Sequence, residues 1–353
     1  MTPFLSSNLA GLVPYVPGEQ PQDKRYIKLN TNESPYPPSP RAVEAANSRA
    51  CGFNLYSDPT CAPLKRQAAV LYGLEECNVS AGNGSDEVLA HIFRAFFGDC
   101  GAAFPDITYG FYPVLCSLMG IRYKTVPLRK DFTVDIADYS GISAAVVLAN
   151  PNAQTGIYLE REQIEKLVLQ NPQRLVIIDE AYIDFGGRSC APLVTKYPNL
   201  IVVQTLSKSR SLAGARVGLC FADKELISAV EAVRCSFNPY NVNSASMYAA
   251  AAALGDVDYF KECTQKIISV REYAADIMKN MGFEVLPSRA NFLLVRHGDI
   301  GGEKLYLSLK ERGILVRHFS DKRIEDFIRV SIGTRGQMDE FLKAAGEILA
   351  GGR

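Results

Sequence analysis

Leu175-Val176-Ile177-Ile178-Asp179-Glu180-Ala181-Tyr182 and, a little further on, Leu200-Ile201-Val202-Val203-Gln204-Thr205-Leu206-Ser207-Lys208 share one plan: an unbroken apolar run that ends abruptly in polar residues. A run of four or five apolar residues without polar alternation is a strand buried on both faces, as in a parallel sheet. Ala144–Ala149, followed by Asn150-Pro151-Asn152, repeats the plan upstream, and Val217–Ala222 is a further strand candidate. The stretch Glu160–Leu169 has the apolar spacing of a helix. Strand runs alternating with helices imply βαβ units, hence an α/β fold with a mostly parallel central sheet flanked by helices. Ligands of such sheets bind beyond the carboxyl ends of the strands. The chemistry is therefore expected just after Ala149, Ile178 and Gln204.

Away from this centre the pattern changes. Pro14, Pro17, Pro21, Pro35, Pro37, Pro38 and Pro40 break up the first forty residues, which should form an extended arm rather than a core element. Helices are expected at Arg41–Cys51, Pro63–Tyr72 and Ser85–Phe97. Past residue 255 comes a helix of about Asp258–Met281. Strands follow near Phe283–Leu286, Asn291–Arg296, Ile314–Arg317 and Phe327–Ile332, with a closing helix at Gln337–Leu349. The expected organisation is an arm (1–40), a large domain (41–255) and a smaller α+β domain (256–353) that also takes part of the arm.

Composition narrows the function. The 353 residues carry 38 basic and 38 acidic side chains and are 47% hydrophobic. That excludes a disordered chain and argues against a nucleic-acid partner, which needs clustered excess Lys and Arg. Nine scattered cysteines without Cys-x-x-Cys spacing read as reduced thiols of a cytoplasmic protein. The N-terminus lacks a basic start followed by an apolar run, so no secretory leader is expected. The most apolar helical stretch, Met247–Leu254, is too short for a membrane span. His91, His297 and His318 show no ligand spacing, and no metal site is expected.

The strand ends deliver an amide (Asn152), a carboxylate (Asp179), a phenol (Tyr182) and an amine (Lys208) to one edge of the sheet, with the Arg216 guanidinium close behind. Gly82-Asn83-Gly84-Ser85-Asp86 opens a helix, whose N–H groups suit a phosphate. Each piece alone has an ordinary reading: Asn150-Pro151-Asn152 as turn chemistry, Asp179 as a turn cap, Ser85 as a plain N-cap. Together they answer the needs of pyridoxal phosphate. Its aldehyde takes a lysine amine and its pyridine nitrogen a carboxylate. Its ring oxygen takes amide and phenol donors, and its phosphate takes N–H groups, hydroxyls and an arginine. Glu180, next to Asp179 on an extended segment, points to the opposite face and is not read as an acid/base partner.

These segments, with Lys28-Leu29-Asn30-Thr31-Asn32-Glu33 and Arg216-Val217-Gly218, resemble the fold-type I pyridoxal-phosphate aminotransferases, most closely the histidinol-phosphate aminotransferases, over almost the whole chain. The resemblance implies that Lys208 joins the cofactor aldehyde and shuttles a proton between the substrate α-carbon and cofactor C4′. Asp179 would pair with the ring nitrogen, Asn152 and Tyr182 with the ring oxygen, and Tyr109 would stack on the ring. Gly84, Ser85, Asp86, Thr205, Ser207 and Arg216 would hold the phosphate. Tyr56, in Leu55-Tyr56-Ser57-Asp58-Pro59, would reach the phosphate of a neighbouring subunit, which implies a homodimer. Arg329 and Arg317 would bind the carboxylate of glutamate or 2-oxoglutarate and the phosphate of histidinol phosphate, with Asn32 beside them and Tyr15 folding over as a lid. One departure stands out: Gln154 occupies a position where many relatives carry proline. Alternatives with the same cofactor residues are an aromatic or broad-range aminotransferase and a decarboxylase of a phosphorylated amino acid such as threonine phosphate; a non-catalytic binding protein of this fold is a more distant one.

Overall fold

The computed structural model describes Thr2 and residues 4–351, apart from the Asn8 side chain. Met1, Pro3, Gly352 and Arg353, at the outer ends of the expected arm and small domain, lie outside the described residues.

The large sheet has seven strands: β1 (Val79–Gly82), β2 (Ala102–Pro105), β3 (Tyr123–Val126), β4 (Ala145–Ala149), β5 (Val176–Asp179), β6 (Leu200–Thr205) and β7 (Gly218–Ala222). Their order is β1-β7-β6-β5-β4-β2-β3, and β7 alone runs antiparallel to its neighbours. Strand alternation sorts the core into two layers. Val146, Leu148, Ile178 and Val202 meet Leu64, Ile164 and Met247 on one face. Ala145, Val147, Ile177 and Ile201 meet Leu89, Phe93, Leu115 and Ile227 on the other. Both layers exclude water, which is why β4, β5 and β6 read as continuous apolar runs. Three strands escaped that reading. Val79-Ser80-Ala81-Gly82 and Ala102-Ala103-Phe104-Pro105 are built largely of small residues, while Tyr123–Val126 is an edge strand with three exposed positions.

The second sheet contains β8 (Phe283–Val285), β9 (Phe292–His297), β10 (Arg317–His318) and β11 (Ile328–Ser331), all antiparallel, in the order β10-β11-β9-β8. It packs against the long helix Val257–Asn280 and the final helix Arg335–Gly351 through Ile267, Met278, Phe292, Val330 and Phe341. The single strand expected over Ile314–Arg317 is split. Ile314–Leu315 pairs in parallel with Ile27–Lys28 of the N-terminal segment, and Arg317–His318 joins the second sheet. The arm therefore contains a strand, contrary to the proline-based reading. Its prolines cluster on either side of 27–28, where no proline removes a ladder donor.

The helix expected at Arg41–Cys51 starts at Pro40 and stops at Asn47, and a short 3-10 turn follows at Ala50–Gly52. Proline fits the first turn of a helix, and Ser39 Oγ caps it by accepting from Ala42 N at 3.1 Å. Among the described residues no helix is long and apolar enough to cross a membrane.

Candidate active site at the strand ends

Register decides which groups meet. Ala149, Asp179 and Val203 lie side by side across β4, β5 and β6. Gly218, first residue of β7, pairs with Thr205 on one side and with Gly82 on the other. That doubly paired glycine brings the loop after β1, the end of β6 and Arg216 to one place. Of the residues expected from sequence, all but Gly84, Asn152 and Tyr56 line one cavity there.

A phosphate-sized cradle lies at one end. Helix α1 (Ser85–Phe96) begins after Gly84, which has φ +85° and offers no side-chain cap, so the first N–H groups remain open. A Cβ on Gly84 would lie 2.4 Å from Arg216 Nη2, and one on Gly218 would lie 2.4 Å from Ser85 N. Only glycine lets the loop and the guanidinium close to this distance. Arg216, itself at φ +52°, donates to Ser207 Oγ at 3.4 Å and to Asp86 Oδ2 at 3.2 Å. Asp86 Oδ1 also accepts from the Tyr109 hydroxyl at 2.9 Å. The Asp86 side chain thus orients Tyr109 and Arg216, a role the sequence did not suggest. Thr205 Oγ1 donates to Ser207 Oγ at 3.0 Å and accepts from Ser207 N at 3.1 Å.

Asp179 is buried. Its Oδ2 accepts from the Tyr112 hydroxyl at 2.8 Å and its Oδ1 from Ala181 N at 3.2 Å. Loss of water raises its pKa to about 6, although the Tyr112 bond opposes the shift. Tyr112, in the first turn of helix Phe111–Met119, was not anticipated; its apolar context reads as plain core. Glu180 turns away, accepting from Ser189 Oγ and Cys190 N at 2.6 Å and from Gln204 Nε2 at 2.8 Å.

Lys208 Nζ donates to the Thr31 carbonyl at 3.0 Å. Burial chiefly, then the Arg329 and Arg216 charges, lower its pKa to about 8 against the pull of Glu33 and Asp86. A backbone carbonyl leaves no sequence signature, so this partner was invisible beforehand. Tyr182 OH accepts from Asn32 Nδ2 at 3.0 Å, leaving its own hydrogen for the cavity. Asn32, at φ +56°, is fixed by Ser331 Oγ and Asn291 Nδ2. Asn152 stands behind the wall. Its Oδ1 accepts from Gln154 N and Thr155 N at 2.9 and 3.0 Å, and one Nδ2 hydrogen goes to Ile107 O at 2.8 Å, so a single amide hydrogen remains.

At the outer end, Arg329 lies near the rings of Phe292 and Phe319, 5.0 and 5.3 Å away, with its pKa lowered by burial. Arg317 donates to the carbonyls of Pro17 and Val16, both at 3.1 Å, and so pins the N-terminal segment. Tyr15 meets Tyr109 and Phe111 edge-on at 5.8 and 5.9 Å while 40% exposed. Tyr56 does not line this cavity; it is 81% exposed and stacked on Tyr240 at 4.1 Å. Among the described residues no group of three or more His, Cys, Asp or Glu could hold a metal ion.

Comparison with known proteins agrees with this geometry. Residues 24–344 match the family described as aminotransferase class I and II. A histidinol-phosphate aminotransferase of Brachyspira hyodysenteriae is 47% identical over 347 residues, 97% of this chain and 98% of that protein. One from Clostridium acetobutylicum is 45% identical over 352 residues, 99% of this chain and all of that protein. The crystal structure of histidinol-phosphate aminotransferase from Sinorhizobium meliloti in complex with pyridoxal-5′-phosphate superimposes with a TM-score of 0.89 at 26% identity, over 99% of each chain.

Proposed function

The chain belongs to the class I and II aminotransferases, and on that footing we propose that it moves the amino group of L-histidinol phosphate to 2-oxoglutarate, giving imidazole acetol phosphate and L-glutamate, a step of histidine biosynthesis. The observation that carries the reading is the single cavity in which Lys208, Asp179 and a glycine-built anion cradle share space with Arg329. It is a pyridoxal-phosphate-dependent enzyme, and its residues fit that group. A buried carboxylate held above its normal pKa awaits a cation, open N–H groups and Arg216 await a phosphate, and a lysine amine lies in the same cavity.

When bound, the cofactor supplies an aldehyde for the substrate amine and a ring that accepts the electron pair of the α-carbon. The chain's own groups do the rest. Lys208, with a pKa near 8, is partly neutral at physiological pH and would move the proton between the substrate α-carbon and cofactor C4′. Asp179, with Tyr112 donating to it, would pair as a carboxylate with the ring nitrogen. Tyr182 would donate to the ring oxygen, the one free amide hydrogen of Asn152 would reach it from behind the cavity wall, and Tyr109, braced by Asp86, would stack on the ring. The N–H groups of Ser85 and Asp86, the hydroxyls of Thr205 and Ser207, and Arg216 would hold the phosphate. Arg329, Arg317, Asn32 and Tyr15 receive the substrate anion and close over it. The two half-reactions use this cavity in turn, so the kinetics are ping-pong.

The exposed Tyr56 is assigned to a second copy's phosphate, which makes the working unit a homodimer. The arm (1–40), large (41–255) and small (256–353) division belongs to the same proposal, supported by separate cores beneath the two sheets. So does a cytoplasmic location, supported by nine free cysteines. The test is a comparison of half-reactions with histidinol phosphate, phenylalanine and threonine phosphate. Histidinol phosphate is expected to react fastest. Faster reaction with phenylalanine, or carbon dioxide release from threonine phosphate, overturns the substrate assignment, and a Lys208→Ala enzyme that still turns over overturns the mechanism.

A further inference from the structure

Arg329 does not face the cavity with all of its donors. Its Nη1 donates to Ala153 O at 2.8 Å and to Gln154 Oε1 at 3.2 Å, which uses both hydrogens of that nitrogen. Its Nε is buried and has no partner among the described residues. Nη2 is therefore the guanidinium nitrogen left to a ligand. Its two hydrogens satisfy at most two oxygens, which is all a carboxylate offers; a phosphate presents a third.

Gln154 supplies what is missing. It lines the same cavity, and with its oxygen turned to Arg329 its amide Nε2 is the free end, donating to none of the described residues. Arg317 gives one N–H from each Nη to the carbonyls of Val16 and Pro17, so it meets the substrate anion with its remaining hydrogens and not as a free fork.

We infer that Gln154 is a specificity-determining residue: its free amide N–H group, in the same cavity as Arg329 Nη2, binds the third oxygen of the substrate phosphate and favours a phosphate over a carboxylate. This rests on the histidinol-phosphate reading above. The holoenzyme is assayed with Gln154→Leu and Gln154→Glu, measuring KM and kcat for histidinol phosphate and glutamate and the inhibition constant of inorganic phosphate. For Gln154→Leu, KM for histidinol phosphate and the phosphate inhibition constant rise about tenfold, while KM for glutamate changes less than about threefold. Gln154→Glu keeps an oxygen for Arg329 but replaces the donor with a negative charge, and the phosphate constants rise further, by about a hundredfold. Equal weakening of both substrates in Gln154→Leu, or unchanged phosphate inhibition in Gln154→Glu, means that Gln154 only braces its loop and overturns the inference. If the wild-type enzyme does not use histidinol phosphate, the functional reading fails, and the inorganic phosphate series still decides the role of Gln154.

Discussion

Replacing Tyr112 with phenylalanine removes one hydroxyl from a closed site and leaves the ring packing. The hydroxyl donates to Asp179 Oδ2 at 2.8 Å, and both residues are buried. A hydrogen bond to a charged group contributes about 1.5–3 kcal/mol, and one pKa unit corresponds to about 1.4 kcal/mol. The carboxyl, at about 6 in the wild type, should thus move up by about 1–2 units, to roughly 7–8. Cofactor binding needs the ionised form, so each protein pays the deprotonation cost below its own pKa. At pH 6 the variant should bind pyridoxal phosphate about 5- to 50-fold more weakly than the wild type, and at pH 9 equally well. The dissociation constants are read from cofactor absorbance or fluorescence on the apoprotein between pH 5.5 and 9. The cofactor's own ionisations are common to both proteins and cancel in the ratio. A ratio that stays flat across that range refutes the role given to Tyr112.

The same burial implies that Asp179→Asn stabilises the cofactor-free protein. A carboxyl raised from 3.8 to about 6 in the folded state loses stability as pH rises from about 4 to 6, reaching about 3 kcal/mol above that. Urea unfolding at pH 8 should show the variant more stable by an amount of this order, with the gain gone at pH 4, and its cofactor affinity should collapse. Gly84→Ala places a Cβ where φ is +85° and Arg216 Nη2 is 2.4 Å away. It should cost about 1–2 kcal/mol in thermal unfolding and weaken cofactor binding on the order of tenfold by displacing Arg216. Lys208→Ala and Tyr56→Phe chains, each nearly inactive alone, should regain activity when unfolded together and refolded, because the mixed dimer holds one site with both side chains. No recovery removes Tyr56 from the neighbouring site.

The parts of the fold that could be read from sequence were those in which burial is total. The runs ending at Ala149, Asp179 and Thr205 are apolar because helices cover both faces of the sheet, and their polar ends therefore located the cavity. Strand β3 has only one buried position, so nothing in its composition marks it. The site was legible where chemistry demands a side-chain type, as with Lys208, Asp179 and Arg216. It was illegible where the group is backbone, as with Thr31, or where a core residue carries a second task, as with Tyr112. The split of 314–317 depended on a partner strand hundreds of residues away, which local pattern does not encode.

The bond from Lys208 to the Thr31 carbonyl has a consequence beyond the active site. Because the acceptor is main chain, its location depends on the path of residues 27–32, anchored by Ile27–Lys28 against Ile314–Leu315. Side-chain replacement at position 31 leaves the amine's resting point intact, whereas loosening the pairing at 314–315 releases it. The reactivity of a single lysine is thus a gauge of whether the two ends of the polypeptide are docked.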